Sequence, residues 1–291
     1  MYRFLLRPRW LAFHLLVVVL VVVMVNLGLW QLSRLDERKA RNEEIRSRQA
    51  APVQPLDALL AEHSVDTTSE GGAVQWYTVV VTGTYDPTEA VQIRNRSLDG
   101  APGEHAVTPL RADDGTAVLL NRGWVPSEQA VAGQVPPATS GPVTVVGRVR
   151  ATQERGRFGP RDPADGDLDK LARVDIDRIQ QQTPYPLAPV YVELVEQQPA
   201  AAELPRALPP PALDEGPHLS YAGQWFLFSL CAVAGWVLVV RKSARTYEQE
   251  KAAAAREVAG SGAELGDDGR GADDAGVVEQ LRDDDRAAHP Q

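Results

Sequence analysis

The stretch WLAFHLLVVVLVVVMVNLGLW, Trp10 to Trp30, constrains this chain more than any other. Its 21 residues include no Asp, Glu, Lys or Arg. At about 1.5 Å per residue in a helix they match the roughly 30 Å hydrocarbon core of a bilayer, with a tryptophan for each interface. A secretory signal would have a shorter apolar centre and small residues for cleavage, and Leu29-Trp30-Gln31 offers none. The segment is therefore expected to stay attached. A second apolar segment, 218–240, is again without formal charge and is stopped by Arg241, Lys242 and Arg245. Two spans place both termini on one side. Arg3, Arg7, Arg9 and the cluster after Val240 are nearly balanced by Arg34, Arg38, Lys39, Arg41, Arg46 and Arg48 after the first span. Long loops translocate largely regardless of charge, so the reading is a multi-pass plasma-membrane protein with two spans, termini cytoplasmic and the long loop extracytoplasmic.

Between the spans the pattern changes twice. Residues 31–50 are rich in helix formers and free of Gly and Pro, which predicts a helical stalk continuing the first span. Residues 51–198 then read as a β-rich domain. VQWYTVVVTGTYDP, EAVQIRNR, HAVTPLRA, TAVLLNRGW, GPVTVVGRVR and APVYVELVE are β-branched or aromatic runs bounded by turn residues, with Asp-Gly between the third and fourth. One helix is predicted in DLDKLARVDIDRIQQQ, where Leu168, Leu171, Ile176 and Ile179 approach helical spacing behind an Asp cap. The expected fold is membrane α+β: two transmembrane helices flanking an antiparallel sheet, with a barrel as one way to close it. Residues 199–217 form a Pro/Ala linker returning to the membrane, and 1–9 a cytoplasmic N-terminus.

Composition matters mainly at the C-terminus. With 39 acidic against 30 basic residues the net charge is −9, which argues against a nucleic-acid partner. Much of the acidity lies in 241–291, and from Glu248 onward the chain mixes acids, Gly and Ala with no aromatic residue. Such a tail buries too little apolar surface to offset its ordering entropy and is expected to be disordered. The single cysteine, Cys231, lies in the second span and excludes an internal disulfide or a multi-cysteine metal site.

No HExxH, CxxC, P-loop or GxSxG occurs, so an enzyme is not expected. Of five histidines, His14 and His218 fall at opposite ends of the spans, too far apart to share a metal. On a helix, His218, Tyr221, Trp225 and Phe228 fall on one stripe with Gln224 at its edge. An imidazole at the top of an aromatic wall suits haem iron and its macrocycle, and Trp30, Gln31 and Arg34 end the first span at the same depth, with Arg34 placed for propionates. The same residues also suit a plain interfacial belt. Both readings stand on the residues alone.

Four ordered blocks add a resemblance: GLWQLSRLDERK at 28–39, GEHAVTPL at 103–110, LLNRGWVP at 119–126 and HLSYAGQWF at 218–226. Together with the span-domain-span order, they resemble the surfeit locus protein 1 family of cytochrome oxidase assembly factors over roughly residues 5–245. The resemblance implies a non-enzymatic protein that helps mature the catalytic subunit of haem-copper cytochrome c oxidase. It also implies haem a as a transient ligand, the haem a synthesis machinery as a partner, and His218 as the candidate iron ligand. His105, Asn121, Arg122 and Trp124, within the blocks, are expected to form partner surface around a structural corner; Trp124 and the neighbouring polar pair could also rest on lipid. The alternative is a haem-free anchored scaffold or sensor whose outer β-domain binds a protein or envelope ligand.

Overall fold

The computed structural model describes residues 6–200 and 203–264, with side chains to Arg256. It divides into two compact units, Met1–Ser33 with Pro217–Gln291, and Arg34–Gly216. Helix α1 (Pro8–Ala50) begins in the first and ends in the second, and helix α5 (His218–Glu264) belongs to the first. Both are long and apolar enough to cross a membrane. Leu11, Leu15, Leu16, Val18 and Val22 on α1, and Leu227, Leu230 and Leu238 on α5, are exposed. Side chains of this kind on outward helix faces suit lipid and not water.

Within the first unit the two helices meet along a seam. On α1 the buried or half-buried positions include His14, Val17, Val21, Met24, Gly28 and Gln31; on α5 they include His218, Ala222, Trp225, Ser229, Ala232 and Trp236. Both sets alternate steps of three and four residues, the 3.5-residue repeat that keeps one face of a helix against its neighbour. Gly28 makes the contact close. A Cβ there would lie 2.7 Å from Phe226 Cε1, so a side chain at this position would push the ring away.

Helix α5 runs on past Val240. Disorder was expected from Glu248, yet the helix reaches Glu264, and the rest of the acidic tail lies outside the described residues. The sequence EQEKAAAAR at 248–256 explains the continuation: it is built from the strongest helix formers and has no Gly or Pro.

The second unit is a mixed, sheet-rich domain. Its strands are β1 (Gln54–Pro55), β2 (Thr78–Tyr85), β3 (Val91–Leu98), β4 (Ala101–Arg111), β5 (Ala117–Pro126), β6 (Pro142–Ala151), β7 (Lys170–Leu171) and β8 (Leu187–Gln198). They hydrogen-bond in the order β1-β2-β6-β8-β5-β4-β3-β7. β2 also meets β4 at Thr84–Arg111 and Tyr85–Leu110, so pairing runs from β2 through β6, β8, β5 and β4 back to β2. The antiparallel expectation needs correction, because β1–β2, β3–β7 and β5–β8 are parallel. β5 and β8 lie far apart in the chain, and the long connection lets β8 return in the same direction.

Alternation along the central strands explains the packing. Val118 and Leu120 of β5 and Val190, Val192 and Leu194 of β8 enter one core with Val79, Leu110 and Val145. Leu119 and Tyr191, on the opposite faces, enter a second core with Ile93, Val107, Leu171 and Ile179. A strand buried on both faces needs a near-continuous apolar run, which is how this part of β5 reads.

One helix was expected here, but three short ones form: α2 (Leu56–Glu62), α3 (Ser127–Val131) and α4 (Ile176–Gln180). The helix read across 167–182 is confined to α4, which starts where Asp175 accepts a hydrogen bond from the Arg178 amide at 3.1 Å. Its first part is instead β7, drawn into the sheet by β3.

Candidate functional site

At the start of α5, His218 Nδ1 lies 2.9 Å from Gln31 Oε1 on α1. A carbonyl oxygen only accepts, so Nδ1–H donates, and the neutral tautomer that matches this contact has its lone pair on Nε2. The helix begins after Pro217, whose carbonyl accepts the Tyr221 amide at 3.1 Å and the Ser220 hydroxyl at 2.8 Å. Residues 28–31 and 218–226 thus meet at one end of the helix pair: Gly28 under Phe226, Gln31 beside His218.

The expected aromatic stripe is only partly formed. His218 and Trp225 lie on the seam, but Tyr221 is 48 % exposed and Phe228 44 % exposed on outward faces. The seam follows 218, 222, 225 and 229, so positions 221 and 228 rotate off it. Trp225 and Phe228 still touch edge to face, with centroids 6.1 Å apart. Gln224 and Trp30 are exposed as well. Arg34 pairs with Glu37 at 2.7 Å and falls in the second unit.

The other end of the pair holds a contact that the sequence did not announce. Trp236 Nε1 donates to His14 Nδ1 at 2.8 Å, with Trp10 and Phe13 also packed around the imidazole. The signal was present in the position of Trp236 on the α5 seam. A period alone does not say which α1 residue it meets.

In the sheet domain, the expected partner surface turns inward. Asn121 is 2 %, Arg122 7 % and Trp124 6 % exposed, too little to meet a partner or lipid. Asn121 Nδ2 donates to His105 Nδ1 at 3.1 Å while its Oδ1 accepts the Gly123 amide at 3.2 Å. His105 is half-buried; burial first, then the charge of Arg96, lowers its pKa to about 4. Trp124 Nε1 donates to the Arg96 carbonyl at 3.2 Å.

This corner is structural, and it anchors the returning chain. Trp124 and Arg206 exchange backbone hydrogen bonds, both 2.8 Å. Gly123 has φ +130°, and a Cβ there would fall 2.3 Å from the Arg206 carbonyl oxygen, so only glycine fits. Beyond it Arg148 donates to the Leu208 carbonyl at 2.9 Å, and Asn42 to the Leu213 and Asp214 carbonyls at 3.1 Å each. The Pro/Ala segment is therefore strapped to its own domain. Composition suggested a linker because its captors lie far away in sequence.

Among the described residues no three or more His, Cys, Asp or Glu gather into a metal cluster. The SURF1 family model matches residues 18–230. An uncharacterized SURF1-like protein of Mycobacterium tuberculosis is 32 % identical over 253 residues, covering 86 % of this chain and 90 % of that one. A SURF1-like protein of Monosiga brevicollis is 27 % identical over 237 residues (76 % and 85 %), and one of Caenorhabditis elegans 24 % over 257 residues (80 % and 76 %). The chain belongs to the SURF1 family, whose members are generally linked to cytochrome oxidase assembly and are generally not enzymes.

Proposed function

We propose that this protein assists maturation of the catalytic subunit of haem-copper cytochrome c oxidase by holding haem a in transit, with His218 Nε2 as the iron ligand. The observation that carries this reading is the His218–Gln31 hydrogen bond. A ligating histidine needs its free nitrogen unprotonated and its ring oriented, and a carbonyl acceptor on the other nitrogen supplies both. Half-buried Trp225, with exposed Trp30 and Tyr221, provides apolar ring surface beside it. Haem a is cargo here. Gln224 completes the proposed cofactor set, and the haem a synthesis machinery and membrane lipid are the proposed neighbours.

The matching topology has two spans in the plasma membrane, both termini cytoplasmic and the sheet domain extracytoplasmic. A cysteine placed in the tail should resist a membrane-impermeant reagent in intact cells; labelling from outside would reverse the orientation. For the function itself, protein purified from cells that make haem a should show a haem absorption band, and His218→Ala should abolish it. A colourless wild-type protein in cells whose oxidase has normal haem content would favour the haem-free anchored scaffold.

A further inference from the structure

Asn26 is a polar side chain turned away from the helix pair. It lies two residues from both Met24 and Gly28 of the seam, which at about 100° per residue puts it on nearly the opposite face of α1, where it is exposed. Its Nδ2 donates to the Val22 carbonyl at 2.7 Å, one turn back along the span. The amide therefore points into the apolar segment and not toward the interface marked by Trp30. That contact uses one N–H. Among the described residues the second N–H and Oδ1 have no partner. Hydrocarbon supplies neither donor nor acceptor, so polar side chains within spans ordinarily hydrogen-bond across to another helix.

The residues around Asn26 have the spacing of a packed face. Leu15, Val19, Val22, Asn26, Leu29 and Ser33 alternate steps of four and three residues, and all six are exposed. This is the 3.5-residue repeat of the seam, carried a second time on the other side of α1. In an uninterrupted apolar run many such faces can be drawn; the amide picks out this one. α5 covers the first face, and among the described residues nothing covers the second.

We propose that this face of α1 packs against α1 of a second copy of the chain, as a parallel pair of helices joined by an Asn26–Asn26 hydrogen bond. A primary amide is its own complement: each side chain donates the free N–H and accepts at Oδ1, which a two-fold axis satisfies on both copies at once. Copies inserted the same way round lie parallel with Asn26 at one depth, whichever side the termini occupy. A helix of another protein would have to bring a matching amide to that depth; a second copy brings it necessarily. A single Asn in such a repeat also fixes register and favours two strands. No Asp, Glu, Lys or Arg occurs between Trp10 and Ser33, so like charges do not oppose the pairing. The inference rests on α1 crossing a membrane but not on haem binding, which would use the opposite face.

The test is oxidative cross-linking of the full chain in membranes, with Cys231→Ser removing the native thiol. Val22→Cys and Leu29→Cys, either side of Asn26 on the face, should each give a disulfide-linked dimer, while Leu20→Cys, exposed but off the face, should give little. Adding Asn26→Leu should lower the dimer fraction about threefold or more, and Asn26→Gln, which keeps the amide, should largely restore it. Asn26 is exposed, so the leucine variant should accumulate normally; alkaline washing of the membranes checks the span separately, and release of the chain would remove the premise. No dimer from Val22→Cys or Leu29→Cys, equal cross-linking through Leu20→Cys, or a dimer indifferent to Asn26→Leu would overturn the proposal. So would cross-linking to a protein of a different mass, which would assign the face to a partner's helix.

Discussion

The helix pair holds two histidines in opposite chemical states. At one end, His218 Nδ1 donates to Gln31 Oε1; at the other, 17 residues or roughly 25 Å along α1, His14 Nδ1 accepts from Trp236 Nε1. In the neutral imidazole the first arrangement leaves a lone pair on Nε2, and the second leaves an N–H there. One ring is thus ready to ligate and the other is not. Residue type at a span end does not decide this; the partner across the seam does. Had position 31 carried an indole, the two sites would have been equivalent.

The largest effect expected from this difference is all-or-none. His218→Ala should eliminate haem from the purified protein while His14→Ala retains it, as read from the absorption band; haem lost equally from both would erase the distinction. A finer test leaves both histidines in place. Gln31→Leu keeps a side chain of similar size in the seam but removes the acceptor, and loss of such an outer partner typically weakens metal binding about 10–100-fold. Gln31→Glu keeps an acceptor and should hold haem close to the wild-type level. Titration of the haem-free variants with ferric haem measures the affinity, and ¹⁵N spectra of labelled histidine report the tautomer even where no haem binds.

His105 extends the comparison into the sheet domain. Like His14 it accepts at Nδ1, here from Asn121 at 3.1 Å, and burial keeps it neutral by lowering its pKa to about 4 from an ordinary 6.5. The unfolded chain therefore binds the extra proton first as pH falls. Stability from this group is full above about pH 6.5, declines between 6.5 and 4, and levels off below. Half-burial limits the loss to on the order of 2 kcal/mol. Chemical denaturation across this window should show the decline in the wild type and a smaller one in His105→Gln; identical pH profiles would remove His105 from the account.

These partnerships show which parts of the molecule could be read from its residues. The apolar segments and the six β-branched runs were visible because burial forces a period or a continuous run on the sequence. β1 and β7, two residues each, leave no such mark, and the parallel β5–β8 pairing joins segments separated by residues 127–186. At 167–182 the spacing of the apolar residues was taken for a helix, when β3 claimed Lys170 and Leu171 for the sheet. In the site, His218 and Trp225 were found together because both happen to fit a seam and a stripe. Tyr221 and Phe228 fit only the stripe. Asn121, Arg122 and Trp124 were read as a structural corner that also offers partner surface; nothing local reveals that His105, Thr108 and Arg206 wait to receive these side chains and turn them inward.

The smallest effect belongs to the His14 end and tests whether its hydrogen bond is more than a packing accident. Trp236→Phe removes the donor while keeping an aromatic ring against the imidazole, whose centroid lies 5.7 Å from that of the indole. Hydrogen bonds between helices in lipid average about 0.6 kcal/mol, because the unfolded helices also find partners. Unfolding of the detergent-solubilised chain should therefore shift by about that amount. The more telling change is chemical. Without the indole N–H, His14 no longer has its proton held on Nε2, and the ¹⁵N signals of its ring should move toward a mixture of tautomers while those of His218 stay fixed. A His14 spectrum indifferent to Trp236→Phe would show that the surrounding apolar packing, and not the indole, sets the ring's state.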